Sequence, residues 1–149
     1  CAGEGSRFPG TAQEYRRMSR RGNQEKVRIH SDREIDGIRK AAALAAEIRV
    51  HLTGLIVPGM STYDVDRTAG KVISEAGAVS AFHGYRGFPG QLCISLNDEV
   101  VHGIGRKGRI IRDGDVVSLD VGVKLNGFFG DNAVSIVAGS ARNRVVVQL

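Results

Sequence analysis

The chain has 149 residues, 42% of them hydrophobic and 25% charged, which is the composition of one ordinary globular domain and excludes a disordered or fibrous chain. No apolar run approaches the roughly 20 residues of a membrane-spanning helix, and the first residues lack the apolar core of a secretory signal, so a cytoplasmic protein with no membrane segment is expected. The formal charge of +5 is concentrated near the start, where RRMSRRGNQEKVR carries Arg16, Arg17, Arg20, Arg21, Lys26 and Arg28 against Glu25 alone.

Residues 1–30 therefore read as a flexible basic leader. Such a segment suits contact with phosphates, as on ribosomal RNA, by counterion release; a solvated tail and an Arg-rich organelle presequence fit the same residues. The first residue is Cys1 rather than Met, as in a processed start or a fragment of a longer reading frame. Cys1 and Cys93 have neither zinc-site nor disulfide-framework spacing and are expected to be reduced and unbridged.

The first helix signal is SDRE, residues 31–34, a capping box in which Ser31 and Glu34 each satisfy a free backbone N–H. Ile35, Ile38, Ala42, Ala45, Ile48 and Leu52 then recur at helical spacing, predicting one apolar face on a helix of about five turns that ends near Thr53-Gly54. Pro58-Gly59 breaks the chain before a second start at Ser61 or Thr62, supported by Asp64. That helix is expected to bury Val65, Ala69, Val72, Ile73 and Ala76 and to end on a left-handed Gly77.

From Ala78 the texture changes to short apolar runs divided by Gly, Pro and Asn. AFHGYRGFPG is a Gly-rich aromatic loop, QLCISL a strand, Asn97-Asp98 a turn, and RDGD another turn before two strands that flank Asn126-Gly127. Two helices followed by an antiparallel meander give an α+β class.

Asn-Gly between strands is the signature of a two-residue type I′ hairpin. Leu125 then faces Phe128, Gly122 faces Asp131 and Asp120 faces Ala133. Because side chains alternate, Asp120 and Asp131 become diagonal neighbours on one face, with β-carbons on the order of 7 Å apart. Two ionised carboxylates so placed repel unless something positive lies between them, and a pair of divalent cations about 3.5–4 Å apart would meet that need. Gly122 and Gly130 are expected to keep space open around such a cluster. Two aspartates facing solvent on a one-sided sheet are the alternative.

The stretches EIDGIRKAAALAAEI, VPGMSTYDVD, SAFHGYRGFPGQLCISLNDEVVHGI and DGDVVSLDVGVKLNGFFGDNA together resemble the type I methionine aminopeptidases, from Ser31 to Gly139. The resemblance implies the N-terminal half of a pita-bread (creatinase/aminopeptidase) fold over residues 31–139, with residues 140–149 as a divergent or truncated tail. It implies removal of the initiator Met from nascent polypeptide N-termini by water activated at a dinuclear centre. The cofactors would be two divalent metal ions, Co, Mn, Fe or Zn. By similarity, Asp120 and Asp131 are metal ligands, His102 is catalytic and substrate-binding, and Phe82, Tyr85, Phe88 and Cys93 line the pocket for the methionine side chain. Read without the resemblance, His102 and the aromatic loop are equally compatible with ordinary packing.

Phe88 stands where a tyrosine is common in that family, and Phe82 where a cysteine is frequent; HGIG replaces HGIP, and DNA replaces DTS after Asp131. The full-length family supplies a histidine and two glutamates from a second half, and the chain stops at Leu149, so activity of this chain alone is in question. A full-length enzyme would be expected to act as a monomer. The competing readings are a proline-specific peptidase of the same fold, and a non-catalytic remnant or binding module that contacts RNA or the ribosome through its basic leader.

Overall fold

The computed structural model describes residues 29–140. The expected leader, apart from Ile29 and His30, and the expected tail beyond Ser140 lie outside them. Helix α1 spans Asp32–Leu55, and its capping box forms as the sequence predicts: the Glu34 N–H donates to Ser31 Oγ at 3.4 Å and the Ser31 N–H to Glu34 Oε2 at 2.9 Å. Helix α2 spans Thr62–Glu75 behind a Ser61 cap that accepts from the Asp64 N–H at 3.1 Å, and Gly77 follows it with φ 71°.

The buried stripe of α1 differs from the predicted one. It runs through Ala41, Ala45, Ile48 and Leu52, whereas Ile35 and Ile38 are 42% and 36% exposed and Ala42 is half-buried. Small residues decide the contact. The Phe128 ring lies on Gly37, and the backbone at Gly130 lies directly on the Ala41 carbonyl, so the sheet meets the helix along its smallest side chains. On α2 the buried stripe is Thr62, Val65, Ala69 and Ile73; Val72 is only partly buried and Ala76 is an exposed C-cap.

Four strands form one antiparallel sheet: β1 (Val79–Ser80), β2 (Cys93–Leu96), β3 (Val116–Leu125) and β4 (Phe128–Val137). Strands β2, β3 and β4 make the expected meander, but β1 does not extend it. It pairs with β3 at Lys124 and Val123, in line with β2 along the same edge, while β4 occupies the other edge over its full length. The predicted strand over QLCISL is shorter than expected, beginning at Cys93.

The helices cover one face of the sheet, where Val117, Leu119, Val121 and Val123 join Ile94, Leu96 and the two helix stripes in a single apolar core. The other face carries the even-numbered residues of β3 and lies outside that core. Gly130 belongs to the helix side, so it makes room for α1 rather than for a site, and the space at Gly122 is filled by the Phe82 ring. Both glycines thus serve close packing, contrary to the expectation that they hold a cavity open.

Gly130→Ala is expected to lower stability by about 1–3 kcal/mol, the range for forcing a group into a packed interior, since the new methyl has only the Ala41 carbonyl to displace. Gly54→Ala in the exposed last turn of α1, where a methyl meets nothing within 4 Å, should leave stability unchanged or raise it by up to about 1 kcal/mol. Urea unfolding of both variants checks the pair.

Candidate metal centre

The hairpin register is the predicted one. Asn126 and Gly127 take φ 50° and 88°, and ten pairs follow, with Gly122 opposite Asp131 and Asp120 opposite Ala133. Asp120 and Asp131 therefore share the face away from the helices. Their carboxyl groups lie within reach of one another, and each ionised group makes the other's charge less favourable. Burial chiefly, then the adjacent Asp131 carboxyl and its charge, push the Asp120 carboxyl up to about 6, while His102 opposes the shift.

Cys93 stands directly across from Asp120 on β2 and is buried. Burial, followed by the charges of Asp120, Asp131 and Asp66, pushes its thiol up to about 11, so it is an uncharged, unreactive wall at neutral pH. It is a free cysteine, as the sequence suggests; Cys1 lies outside the described residues.

His102 arrives from the loop between β2 and β3. Its backbone is left-handed at φ 59°, a conformation that costs a non-glycine residue about 1 kcal/mol or more and must be imposed by its surroundings. The next residue supplies the constraint. The Gly103 N–H donates to Ser95 Oγ at 3.2 Å, its carbonyl accepts from the Ile94 N–H at 2.9 Å, and any Cβ there would run into the Ile94 carbonyl. Arg109 closes the base of the loop, paired with Glu99 and donating to the Ile94 and Ile104 carbonyls at 3.3 and 3.4 Å. The result is a cavity of about 370 Å³ lined by His102, Cys93 and Asp120 together.

The three aromatic residues of the loop are elsewhere. Phe82 covers Gly122, the Phe88 ring lies against Gly90, and Tyr85 is 62% exposed with the Arg86 guanidinium 5.4 Å above its ring. None of them lines the cavity that contains Cys93. Phe82 flanks the aspartate pair on its Gly122 side, while His102 shares a cavity with Asp120 on the other.

Asp66 is a positioning residue that sequence reading did not single out. Its Oδ1 accepts from the N–H groups of Gln91 and Leu92 at 2.6 and 3.2 Å, tying α2 to the end of the aromatic loop where β2 begins. Ser80 ties the other end: its Oγ accepts from the Phe82 and His83 N–H groups, both at 3.1 Å, and donates to the Gln91 carbonyl at 2.7 Å. Asp66 lies 25 residues from its partner and beside the apolar stripe of an amphipathic helix, where an acidic residue reads as solvated.

The donor chemistry of the pair fits a hard divalent cation. Two neighbouring carboxylates offer oxygen donors and a negative charge in need of compensation. They do not complete a centre: among the described residues no group of three or more His, Cys, Asp or Glu is placed so that it could hold a metal ion.

The profile of metallopeptidase family M24 matches residues 36–149. The chain is 42% identical over 119 residues to a methionine aminopeptidase of Aquifex aeolicus, covering 76% of this chain and 46% of that protein. It is 42% identical over 108 residues to methionine aminopeptidase 1 of Bacillus subtilis, covering 72% and 43%. Among solved structures, the methionine aminopeptidase of Thermotoga maritima superposes with a TM-score of 0.77 at 34% identity, over 82% of this chain and 49% of that one. A prolidase of Pyrococcus horikoshii, at 23% identity and a TM-score of 0.67, shares the fold. The chain thus spans under half the length of the methionine aminopeptidases it matches, and its two helices and sheet correspond to one half of the pita-bread fold.

Asp120 makes stability depend on pH with a definite sign. A carboxyl raised from 3.8 to about 6 binds more protons folded than unfolded between those values, so stability falls as pH rises from about 4 to about 6. Its part-exposed position reduces the effect to about 1 kcal/mol. Asp120→Asn is expected to remove that component and to be the more stable protein at pH 7 in the presence of EDTA, as read by urea unfolding at pH 4 and 7.

Proposed function

The chain belongs to metallopeptidase family M24, and on that premise we propose that it carries one half of the active site of a methionine aminopeptidase. The observation that carries this reading is the neighbouring Asp120–Asp131 pair, on the open face beside His102. The relatives that are 42% identical to the chain over the matched stretch are named methionine aminopeptidases. The substrates are nascent polypeptide N-termini beginning with Met, and the reaction belongs to the cytoplasm. Among the described residues no helix is long and apolar enough to cross a membrane.

In this reading Asp120 and Asp131 hold two divalent cations, Co, Mn, Fe or Zn, with further donors from outside the described residues. Cations held by these two residues would supply Lewis-acid chemistry, polarising a peptide carbonyl and lowering the pKa of water toward neutrality. Below about pH 6 the Asp120 carboxyl is protonated, so cation binding weakens there. His102, held in one backbone conformation by Gly103, donates a hydrogen bond to the amide of the bond being cut. The aromatic loop of Phe82, Tyr85 and Phe88 gives the methionine side chain an apolar wall, with the uncharged Cys93 a separate contact across from Asp120; Asp66 keeps that loop in register with β2. The basic segment from Arg16 to Arg28 lies outside the described residues, and ribosome contact through it belongs to the same proposal.

Calorimetric titration with Mn²⁺ tests the ligand assignment, and Met release from Met-Ala-Ser tests the activity. Wild-type chain should take up Mn²⁺ with an affinity that Asp131→Ala lowers at least about tenfold, and in a protein that carries both halves of the fold Met release should require metal and disappear in the variant. Equal release by the two proteins would contradict the mechanism. Absence of any Mn²⁺ uptake, together with salt-sensitive RNA binding, would favour the non-catalytic module instead.

A further inference from the structure

Three features lie in a row along β3 on the open face. Phe82 covers Gly122, the Asp120–Asp131 pair follows, and Ser118 comes next, its Oγ 2.7 Å from that of Ser135 on β4. At about 3.3 Å per residue, Gly122 and Ser118 are about 13 Å apart, the span of about four residues of extended peptide. The proposed function places the N-terminal side chain of a substrate near Phe82 and its first peptide bond over the aspartates, and the present inference rests on that placement. The remainder of the substrate must then run toward Ser118 and His102.

Beyond His102 there is room for it. The cavity of about 370 Å³ that contains Asp120 reaches Val100, Val101 and His102, and a second cavity of about 420 Å³ opens beside the same three residues, bounded by Arg106 and Arg109. Val100 and Val101 are 89% and 64% exposed, and so form an uncovered apolar rim between the two.

The two arginines differ in how far they are already committed. Arg109 is paired with Glu99 and donates to two backbone carbonyls. Arg106 is anchored only through its backbone: its N–H donates to Thr62 Oγ1 at 2.9 Å, and its carbonyl accepts from the same hydroxyl at 3.2 Å. Thr62 is fully buried, so the Arg106 backbone is fixed, while its exposed guanidinium has no carboxylate partner among the described residues. The neighbouring Lys107 is drawn away over the Tyr63 ring, 5.2 Å from its centre.

We propose that the cavity beyond His102 is a subsite for the polypeptide downstream of the cleaved bond, and that Arg106 selects acidic side chains there. A fixed backbone carrying an unpaired guanidinium at the cavity edge favours a carboxylate both by charge and by two-pronged hydrogen bonding. Arg106 would therefore determine specificity without taking part in the chemistry.

The test is calorimetric binding of Met-Ala-Ser-Glu-Asp-Glu and Met-Ala-Ser-Lys-Arg-Lys, with a Gly-Ala-Ser-Glu-Asp-Glu control, at 50 mM salt. Wild type should prefer the acidic peptide about three- to fivefold, the scale of one solvent-exposed ion pair. Arg106→Glu should abolish or reverse that preference, and Arg67→Glu, an exposed charge change on α2, should retain it. An unchanged preference in Arg106→Glu would overturn the subsite even if binding still needs the N-terminal Met. Acidic-peptide binding that is indifferent to Met or Gly at the first position would overturn the aminopeptidase reading on which the peptide's direction rests, while the Arg106 preference stays measurable. Failure of both Met peptides to bind overturns the two together.

Discussion

Everything distinctive about this molecule depends on the register of one hairpin. A type I′ turn at Asn126-Gly127 needs positive φ at both residues, and its handedness matches the twist of the strands it joins. Ten consecutive pairs then follow. A slip of one residue on either strand would send that strand's aspartate to the helix side, among Val117, Val121 and Val123, and bring apolar side chains out. The core beneath the sheet and the acidic pair above it are thus enforced by the same alternation. Burial of the valines is what holds two carboxyl groups together.

That juxtaposition costs stability when the pair stands alone. Asp120 retains its proton to about pH 6 because burial and Asp131 both oppose its charge. His102 compensates only in part, and the wall beside Asp120 is Cys93, kept neutral by the same burial and the same charges. A site that is unfavourable when empty of positive charge is well suited to bind it, and the energy released by a divalent cation includes relief of this repulsion. His102 illustrates the same economy in the backbone. Its left-handed conformation is held by the Gly103 contacts to β2 and by Arg109 at the base of the loop.

Where local rules govern, the sequence was sufficient. The capping box at Ser31, the stop at Gly77 and the hairpin register are all set by neighbours within four residues, and all appear in the structure. The buried face of α1 could be read in this way only in part. Ala45, Ile48 and Leu52 are buried as the periodicity predicts, but nearer the start of the helix Gly37 and Ala41 let Phe128 and Gly130 approach, so Ala41 is buried in place of Ile35, Ile38 and Ala42. The site divides similarly. Asp120 and Asp131 came together from register alone, whereas the convergence of His102 on Asp120 depends on a long loop pinned by Arg109 and Thr62, and the role of Asp66 depends on a contact across 25 residues. The aromatic residues had the right composition for a pocket, yet Phe82, Tyr85 and Phe88 do not line the cavity that holds Cys93.

The central claim is that Asp120 and Asp131 together bind a divalent cation between their carboxylates. Crystals grown with Mn²⁺ and recorded near its absorption edge test this directly. The account predicts an anomalous peak at about 2.0–2.3 Å from an oxygen of each carboxylate. A map with no peak at the pair would contradict it.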